Sequence, residues 1–475
     1  MLSVKNSYGQ WIGNKWEPSD SQLDVMNKYT LEKIASIGVA TRGNVQQAVK
    51  LSREVLSEPF SPYERYKVLK QTAELMIEKQ EELAQIICEE VGKPITESRG
   101  EVARAAMTLE ISAEEAKRIS GHAVPVEAAP GSERRKAFTI RVPVGVVAAI
   151  TPFNVPLNLV CHKVGPALAA GNSVVLKPAE VTPLCALKLA ELFNEAGLPS
   201  GRLNVLTGNG PEIGQWLIDE EDISMFSFTG SPRVGRWLRE RAGTRKVALE
   251  LGNNSATIIH HDADLDTAAE QVALKSFNNA GQVCISVQRV YVHESVKESF
   301  LDKLRIKTEA LKVGDPSDDK THVGPMIHPD QLKRVEEWVN EAVSQGAEVV
   351  TGNTKQGTVF MPTVLTNVKR FMKVCKDEIF GPVVSILSYE GEDDVINEVN
   401  DSAYGLQAGL FTNDLSFAMK AAEKIEVGGL IINDTSGYRV DHMPYGGVKG
   451  SGNGKEGPKY AIEEMTNERI IVMNL

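Results

Sequence analysis

Residues 144–177, VGVVAAITPFNVPLNLVCHKVGPALAAGNSVVLK, decide the fold. VGVVAAI (144–150) is a continuous apolar run of strand length, NSVVLK (172–177) is a second, and the stretch between them reads as a helix. LNVLTG (203–208) and MFSFTG (225–230) repeat the pattern, each run giving way to a helical stretch. Strands alternating with helices predict a parallel, doubly wound α/β sheet.

A second α/β rhythm begins at SATIIHH (255–261) and continues through QRVYVHE, AEVVTG, PVVSILSY and GLIIND. Upstream, residues 43–120 read as helical, with apolar residues recurring at three and four in 64–92. The Gly-, Pro- and charge-rich segment 121–143 reads as an extended arm or hairpin. ERIIVMNL (468–475) is a strand with no local partner, and it is expected to add to a neighbouring subunit.

A chain of 475 residues exceeds one hydrophobic core, so two or three domains are expected. The net charge of -11 disfavours nucleic acid and anionic membranes as partners, but a small anionic substrate needs only one or two local arginines. The N-terminal stretch has no apolar signal-peptide core, and no run approaches a membrane span. The five cysteines are scattered, with no CxxC pair, which suggests a reducing cytoplasm, no disulfide framework and no metal site.

Cys284, in FNNAGQVCISVQRVYV, is flanked by small and polar residues, a setting in which a thiol can act as nucleophile. Taken alone, an inert buried cysteine is the commoner reading. Glu250, in VALELGNNS, stands at a strand end where a carboxylate can serve as a base. Asn154, in AAITPFNVPLN, offers an amide N–H of the kind that stabilises an oxyanion, and a simple turn is its alternative. FTGSPRVG (228–235) leads a strand into a helix whose N-terminus can hold a pyrophosphate. Lys177 and Glu180 of KPAE follow another strand, at the edge where nucleotides bind.

The ordered set TPFN, KPAE, FTGSxxVG, ELG, GQVC, EIFGPV and PYGGVKGSG resembles the aldehyde dehydrogenase superfamily from about residue 10 to the C-terminus. That resemblance implies two doubly wound α/β domains plus a β oligomerisation arm. The NAD-binding domain would take 1–122, 143–249 and 448–462, the catalytic domain 250–447, and the arm 123–142 with 463–475. It implies Cys284 as nucleophile, its backbone N–H and Asn154 as oxyanion donors, and Glu250 as the base for deacylation. It places Thr151, Pro152, Phe153, Lys177, Glu180, Gly208, Gly230, Ser231, Val234, Leu251, Gly252, Glu378 and Phe380 at an NAD cofactor, with NADP as the alternative. Glu180 favours NAD, because it would repel a 2′-phosphate. Glu250 favours hydrolysis over acyl transfer to CoA, since CoA-acylating relatives generally lack that glutamate. The usual ELGG is here ELGN, and Asn253 is expected to tolerate a left-handed turn.

For the aldehyde, the resemblance points to Arg104, Asn158, Phe277, Val283, Ile285, Tyr438 and Arg439, with Phe153 as a further apolar wall. Arginines read carboxylate, phosphate or sulfonate through paired hydrogen bonds. The segments resemble lactaldehyde and non-phosphorylating glyceraldehyde-3-phosphate dehydrogenases, and Val283 stands where the second group usually has arginine. The expected substrate is a small 2-hydroxyaldehyde, with a terminal anion as in sulfolactaldehyde or without one. A homodimer or homotetramer is expected. A CoA-acylating enzyme and an inactive binding protein of the same fold are the competing readings.

Overall fold

The computed structural model describes residues 7–475, so residues 1–6 of the expected first domain lie outside the described residues. Val146–Ile150 is central in the first sheet. Ser173–Lys177 and Leu203–Val205 follow on one side, Ile223–Thr229 and Lys246–Glu250 on the other, all parallel. The winding reverses between Val146–Ile150 and Ile223–Thr229, which opens a crevice at the carboxyl ends of the strands. The hairpin Gln10–Ile12 and Lys15–Glu17 extends the sheet antiparallel, and its short mixed runs carry no readable period.

The helical region forms Arg42–Glu54, Pro62–Glu78, Gln80–Val91 and Ile95–Ala116. Ser61 starts the second of these by accepting the Glu64 N–H, with Pro62 at the first turn, where its missing N–H is harmless. Leu69, Met76, Leu83, Val102 and Leu109 are fully buried in one cluster with Val160, Val164 and Leu168 of Asn158–Ala169. At roughly 1.5–3 kcal/mol per buried side chain, this packing fixes the helix that carries the TPFN segment.

The second sheet orders Glu348–Thr351, Thr363–Thr366, Val383–Tyr389, Arg289–His293, Ala256–Ile259, Gln407–Phe411 and Gly429–Ile432. All neighbours are parallel except Glu348–Thr351, which runs antiparallel to Thr363–Thr366.

The terminal strand pairs with the segment that the resemblance joins to it as one arm. Thr466–Asn474 has a partner in its own chain, running antiparallel to Arg135–Pro143 in register from Thr466 opposite Pro143 to Asn474 opposite Arg135. The partner lies far upstream, where local pattern cannot reveal it. Thr466–Asn474 is still the edge of this small sheet, with Ile470 and Val472 about half exposed, at 51% and 50%.

Candidate active site

Cys284 stands in the loop before Arg289–His293. Asn279, Ala280 and Gly281 all have positive φ, at 47°, 53° and 71°, and they swing the chain away from the helix Leu265–Phe277. Glycine is required at 281, because a Cβ would lie 2.1 Å from the Gly381 carbonyl oxygen. That close approach ties the cysteine loop to the EIFGPV segment. Asn279 Nδ2 donates to the Asn154 carbonyl at 3.1 Å, and Asn154 Nδ2 donates to the Gln282 carbonyl at 2.8 Å. The TPFN and GQVC segments are thus bonded together, and one hydrogen on Asn154 Nδ2 remains for another acceptor. The Cys284 backbone N–H has no partner among the described residues.

Glu101 positions the TPFN segment. Its Oε1 accepts the Leu157 and Asn158 N–H groups at 2.9 and 3.2 Å, an anion at the positive end of the helix Asn158–Ala169. Lys93 pairs with the same carboxylate.

The Cys284 sulfur lies 3.0 Å from Tyr445 Oη. Ile285, Leu406 and Tyr445 wrap it in apolar surface. Burial pushes the thiol up to about 11, against the Tyr445 hydrogen bond and the Arg439 charge, which pull it down.

A cleft of about 390 Å³ runs from Cys284 and Asn154 along the carboxyl ends of the first sheet. All the residues expected at a cofactor line it except Gly208, which packs against Val39 and Ala40. Gly210 lies beside Lys177 and Glu180 instead, where a Cβ would come within 3.2 Å of Lys177 Nζ. Lys177 Nζ and Glu180 Oε2 are 2.7 Å apart. Ser231 caps the helix Pro232–Arg241, accepting the Val234 N–H at 3.4 Å. Thr151 Oγ1 and Thr229 Oγ1 are buried on this cleft without hydrogen-bond partners. Glu378 accepts the Asn253 N–H at 2.9 Å, and burial pushes its carboxyl up to about 7. Phe380 has a φ of 44°, and its ring meets Phe153 edge-on at 5.9 Å. A bulky residue held left-handed costs about 1–3 kcal/mol and marks a position constrained by function. A lysine–glutamate ion pair, a helix N-terminus, orphaned hydroxyls and apolar walls in one crevice fit a dinucleotide.

Asn253 is not left-handed. Its side chain bonds Ser255 Oγ at 2.5 Å and the Leu406 N–H at 3.4 Å, so it anchors the segment after Glu250 rather than turning it.

Glu250 does not line the cleft. Its carboxylate occupies a separate small cavity with Lys163 and Glu456, and both oxygens lack hydrogen-bond partners. It packs against Gly454, where a Cβ would come within 2.9 Å of Oε1. Burial and the neighbouring Glu456 charge push the Glu250 carboxyl well above the usual range, with Lys163 and Arg439 opposing. Glu456 stays charged because Arg439 lies 2.7 Å away and Lys163 3.7 Å away.

The other face of the cysteine loop borders a second cavity of about 440 Å³, lined by Val283, Ile285, Arg104, Lys275, Asn278, Tyr438 and Arg439. Phe277 does not reach it. It is 1% exposed in the second-domain core, and Asn278 stands at the cavity in its place. Asn158 is buried one layer behind, donating to Asp441 at 3.0 Å. Arg104 grips Asp441 through two bonds of 2.8 and 3.0 Å. Against burial, His162 and Arg104 hold the Asp441 carboxyl far below its usual range. Arg439 is engaged by Glu456, by His162 Nε2 at 3.0 Å and by the Tyr445 ring at 3.8 Å. Among the described residues, Lys275 is the cation of this cavity with no carboxylate at ion-pair distance, and its stem packs against Gly437.

Tyr445, Lys275, Lys163 and Glu456 escape a reading of the sequence. Tyr445 sits inside PYGGVKGSG, but nothing in that string aims its hydroxyl at a sulfur. Lys275 looks like any exposed helical lysine until Gly437 is seen against it.

A profile of the aldehyde dehydrogenase family matches residues 16–471. A 3-sulfolactaldehyde dehydrogenase of Priestia aryabhattai is 65% identical over 474 residues, covering 100% of this chain and 99% of its own. A lactaldehyde dehydrogenase of Methanococcus vannielii is 41% identical, covering 98% of this chain and 99% of its own. Among solved structures, the glyceraldehyde-3-phosphate dehydrogenase of Methanocaldococcus jannaschii in complex with NADP superposes with a TM-score of 0.92 at 40% identity, covering 96% of this chain and 100% of its own.

Proposed function

The chain belongs to the aldehyde dehydrogenase family, and we propose that it oxidises a small 2-hydroxyaldehyde with an anionic end, of the sulfolactaldehyde type, to the free acid. One observation carries this reading. The cysteine loop is the wall between two cavities, with Cys284 on the dinucleotide-shaped cleft and its neighbours Val283 and Ile285 on the cation-lined mouth. A cofactor and an aldehyde entering from opposite sides meet at that sulfur.

In this reading the Cys284 sulfur bonds to the aldehyde carbon, and the oxygen takes negative charge. The free Cys284 N–H and the remaining Asn154 amide hydrogen hold that oxygen. Bound NAD(P) would supply the hydride acceptor, and Cys284 would then carry the acyl group as a thioester. Lys177, Glu180, the helix capped by Ser231, Glu378 and Phe380 would hold the cofactor. Glu180 supports NAD, since its carboxylate stands where a 2′-phosphate would add like charge. Glu250 then takes a proton from the water that releases the acid, and to do so its side chain must leave the Lys163 cavity. A glutamate available for this step supports hydrolysis without CoA.

At the mouth, Arg104 and Arg439 are already paired with Asp441 and Glu456, so Lys275, which has Glu97 only beyond ion-pair distance, supplies the charge for the anionic end. The open edge of Thr466–Asn474 supports an arm that joins subunits into at least a dimer, on the domain limits given above. All five cysteines are free and no described helix is long and apolar enough to cross a membrane, in keeping with a cytoplasmic enzyme.

Steady-state kinetics on an aldehyde panel, with NAD and NADP and without CoA, tests the reading. The highest kcat/KM is expected for 3-sulfolactaldehyde or lactaldehyde. A preference for long aliphatic or aromatic aldehydes, or a requirement for CoA, overturns it.

A further inference from the structure

We infer that the Tyr445 hydroxyl is a catalytic group of this enzyme, donating its hydrogen to the Cys284 sulfur and so holding the thiolate that attacks the aldehyde. This rests on Cys284 being the nucleophile.

The contact is direct, with Oη 3.0 Å from Sγ. Tyr445 is 4% exposed, and its hydroxyl has no other hydrogen-bond partner among the described residues. A buried phenol with one neighbour must direct its single hydrogen, or its lone pairs, at that neighbour. Toward a neutral thiol either atom can donate. Toward a thiolate only the phenol can, and the bond then becomes the stronger charge-assisted kind. The contact therefore works toward the charged sulfur, against the burial that favours the neutral one.

The second observation is what lies on the ring. The Arg439 guanidinium stacks 3.8 Å from the ring centroid and is fixed there by Glu456 at 2.7 Å. A cation over the π face draws electron density from the ring, which makes the phenol a better donor. Ile285 and Leu406 pack against the Cys284–Tyr445 contact on its apolar side, and the sulfur keeps an open side toward the cleft. Glu456, Arg439, Tyr445 and Cys284 thus form a chain of successive contacts, with the guanidinium against the donor's ring. Arg439 is a positioning residue in it, which explains why a predicted substrate arginine is buried and engaged.

Arg439 and the Tyr445 hydroxyl favour the thiolate, and Glu456 and Glu378 oppose it at longer range. Burial also opposes it. Among the described residues, the Tyr445 bond is the one hydrogen bond made directly to the sulfur atom.

The test is the pH dependence of iodoacetamide alkylation at Cys284, read by peptide mass spectrometry in the absence of aldehyde. The other four cysteines are buried, so Cys284 dominates the labelling. Three proteins are compared: the natural chain, Tyr445→Phe, and a chain carrying 3-fluorotyrosine at 445, whose phenol is more acidic. Loss of one donor to a buried anion should cut the thiolate fraction about tenfold and move the alkylation midpoint up by about one pH unit in Tyr445→Phe. The fluorinated chain should move it down. Shifts in opposite directions cannot come from altered packing. Coincident profiles, or shifts of the same sign, overturn the assignment. Retained turnover in Cys284→Ala would refute the nucleophile itself, a separate outcome from any alkylation profile.

Discussion

Glu250 and Cys284 line different cavities, the carboxylate beside Lys163 and the sulfur on the cleft. A buried carboxyl raised well above 4.5 binds more protons in the folded chain than in the unfolded one between those two values. Stability therefore falls as pH rises through that window. Glu250→Gln removes the penalty. Its melting midpoint should exceed that of the natural chain at pH 8, and the gap should close as pH falls toward the ordinary glutamate value. Calorimetry across pH checks this, and a gap that widens on acidification would contradict it.

Glu180, 2.7 Å from Lys177, is the residue proposed to set cofactor choice. Glu180→Gln should raise kcat/KM with NADP relative to NAD. Because the Glu180 side chain is 44% exposed, screening holds the gain to about tenfold. Initial rates with both cofactors measure it.

Lys275 should separate anionic from neutral aldehydes. Lys275→Met is expected to lower kcat/KM for 3-sulfolactaldehyde about tenfold, the value of one hydrogen bond to a charge, and to change that for lactaldehyde by less than about twofold. The two substrates differ at the sulfonate, so an equal loss on both would point to a structural effect.

The edge strand Thr466–Asn474 carries the oligomer prediction. Ile470→Lys with Val472→Lys places charge on its half-exposed apolar side chains. Sedimentation should show a smaller assembly, and an unchanged mass would remove the arm from the interface.

The first sheet, most of the cleft and the cysteine loop were legible because they depend on local pattern. Continuous apolar runs name strands, and the turns after them name the crevice. What escaped the sequence depends on distant packing. Local pattern left Thr466–Asn474 without a partner, and the family resemblance alone joined it to the arm that holds Arg135–Pro143. Phe277 looked like a substrate wall, yet the left-handed residues after it turn Asn278 toward the cavity and leave Phe277 in the core. Arg439 looked available until Glu456 was found against it. Charge pairing across the fold decides which cation is free, and residue type alone does not carry that information.

The most direct test of the central claim uses Glu250→Gln in a rapid-quench experiment with NAD and the preferred aldehyde, followed by mass spectrometry of the intact protein. If Cys284 carries a thioester that Glu250 helps water to cleave, about one equivalent of NADH should form per chain and turnover should then stall. The acyl group should be found on Cys284. Sustained turnover at the natural rate, or a stall with no adduct on Cys284, would contradict the account.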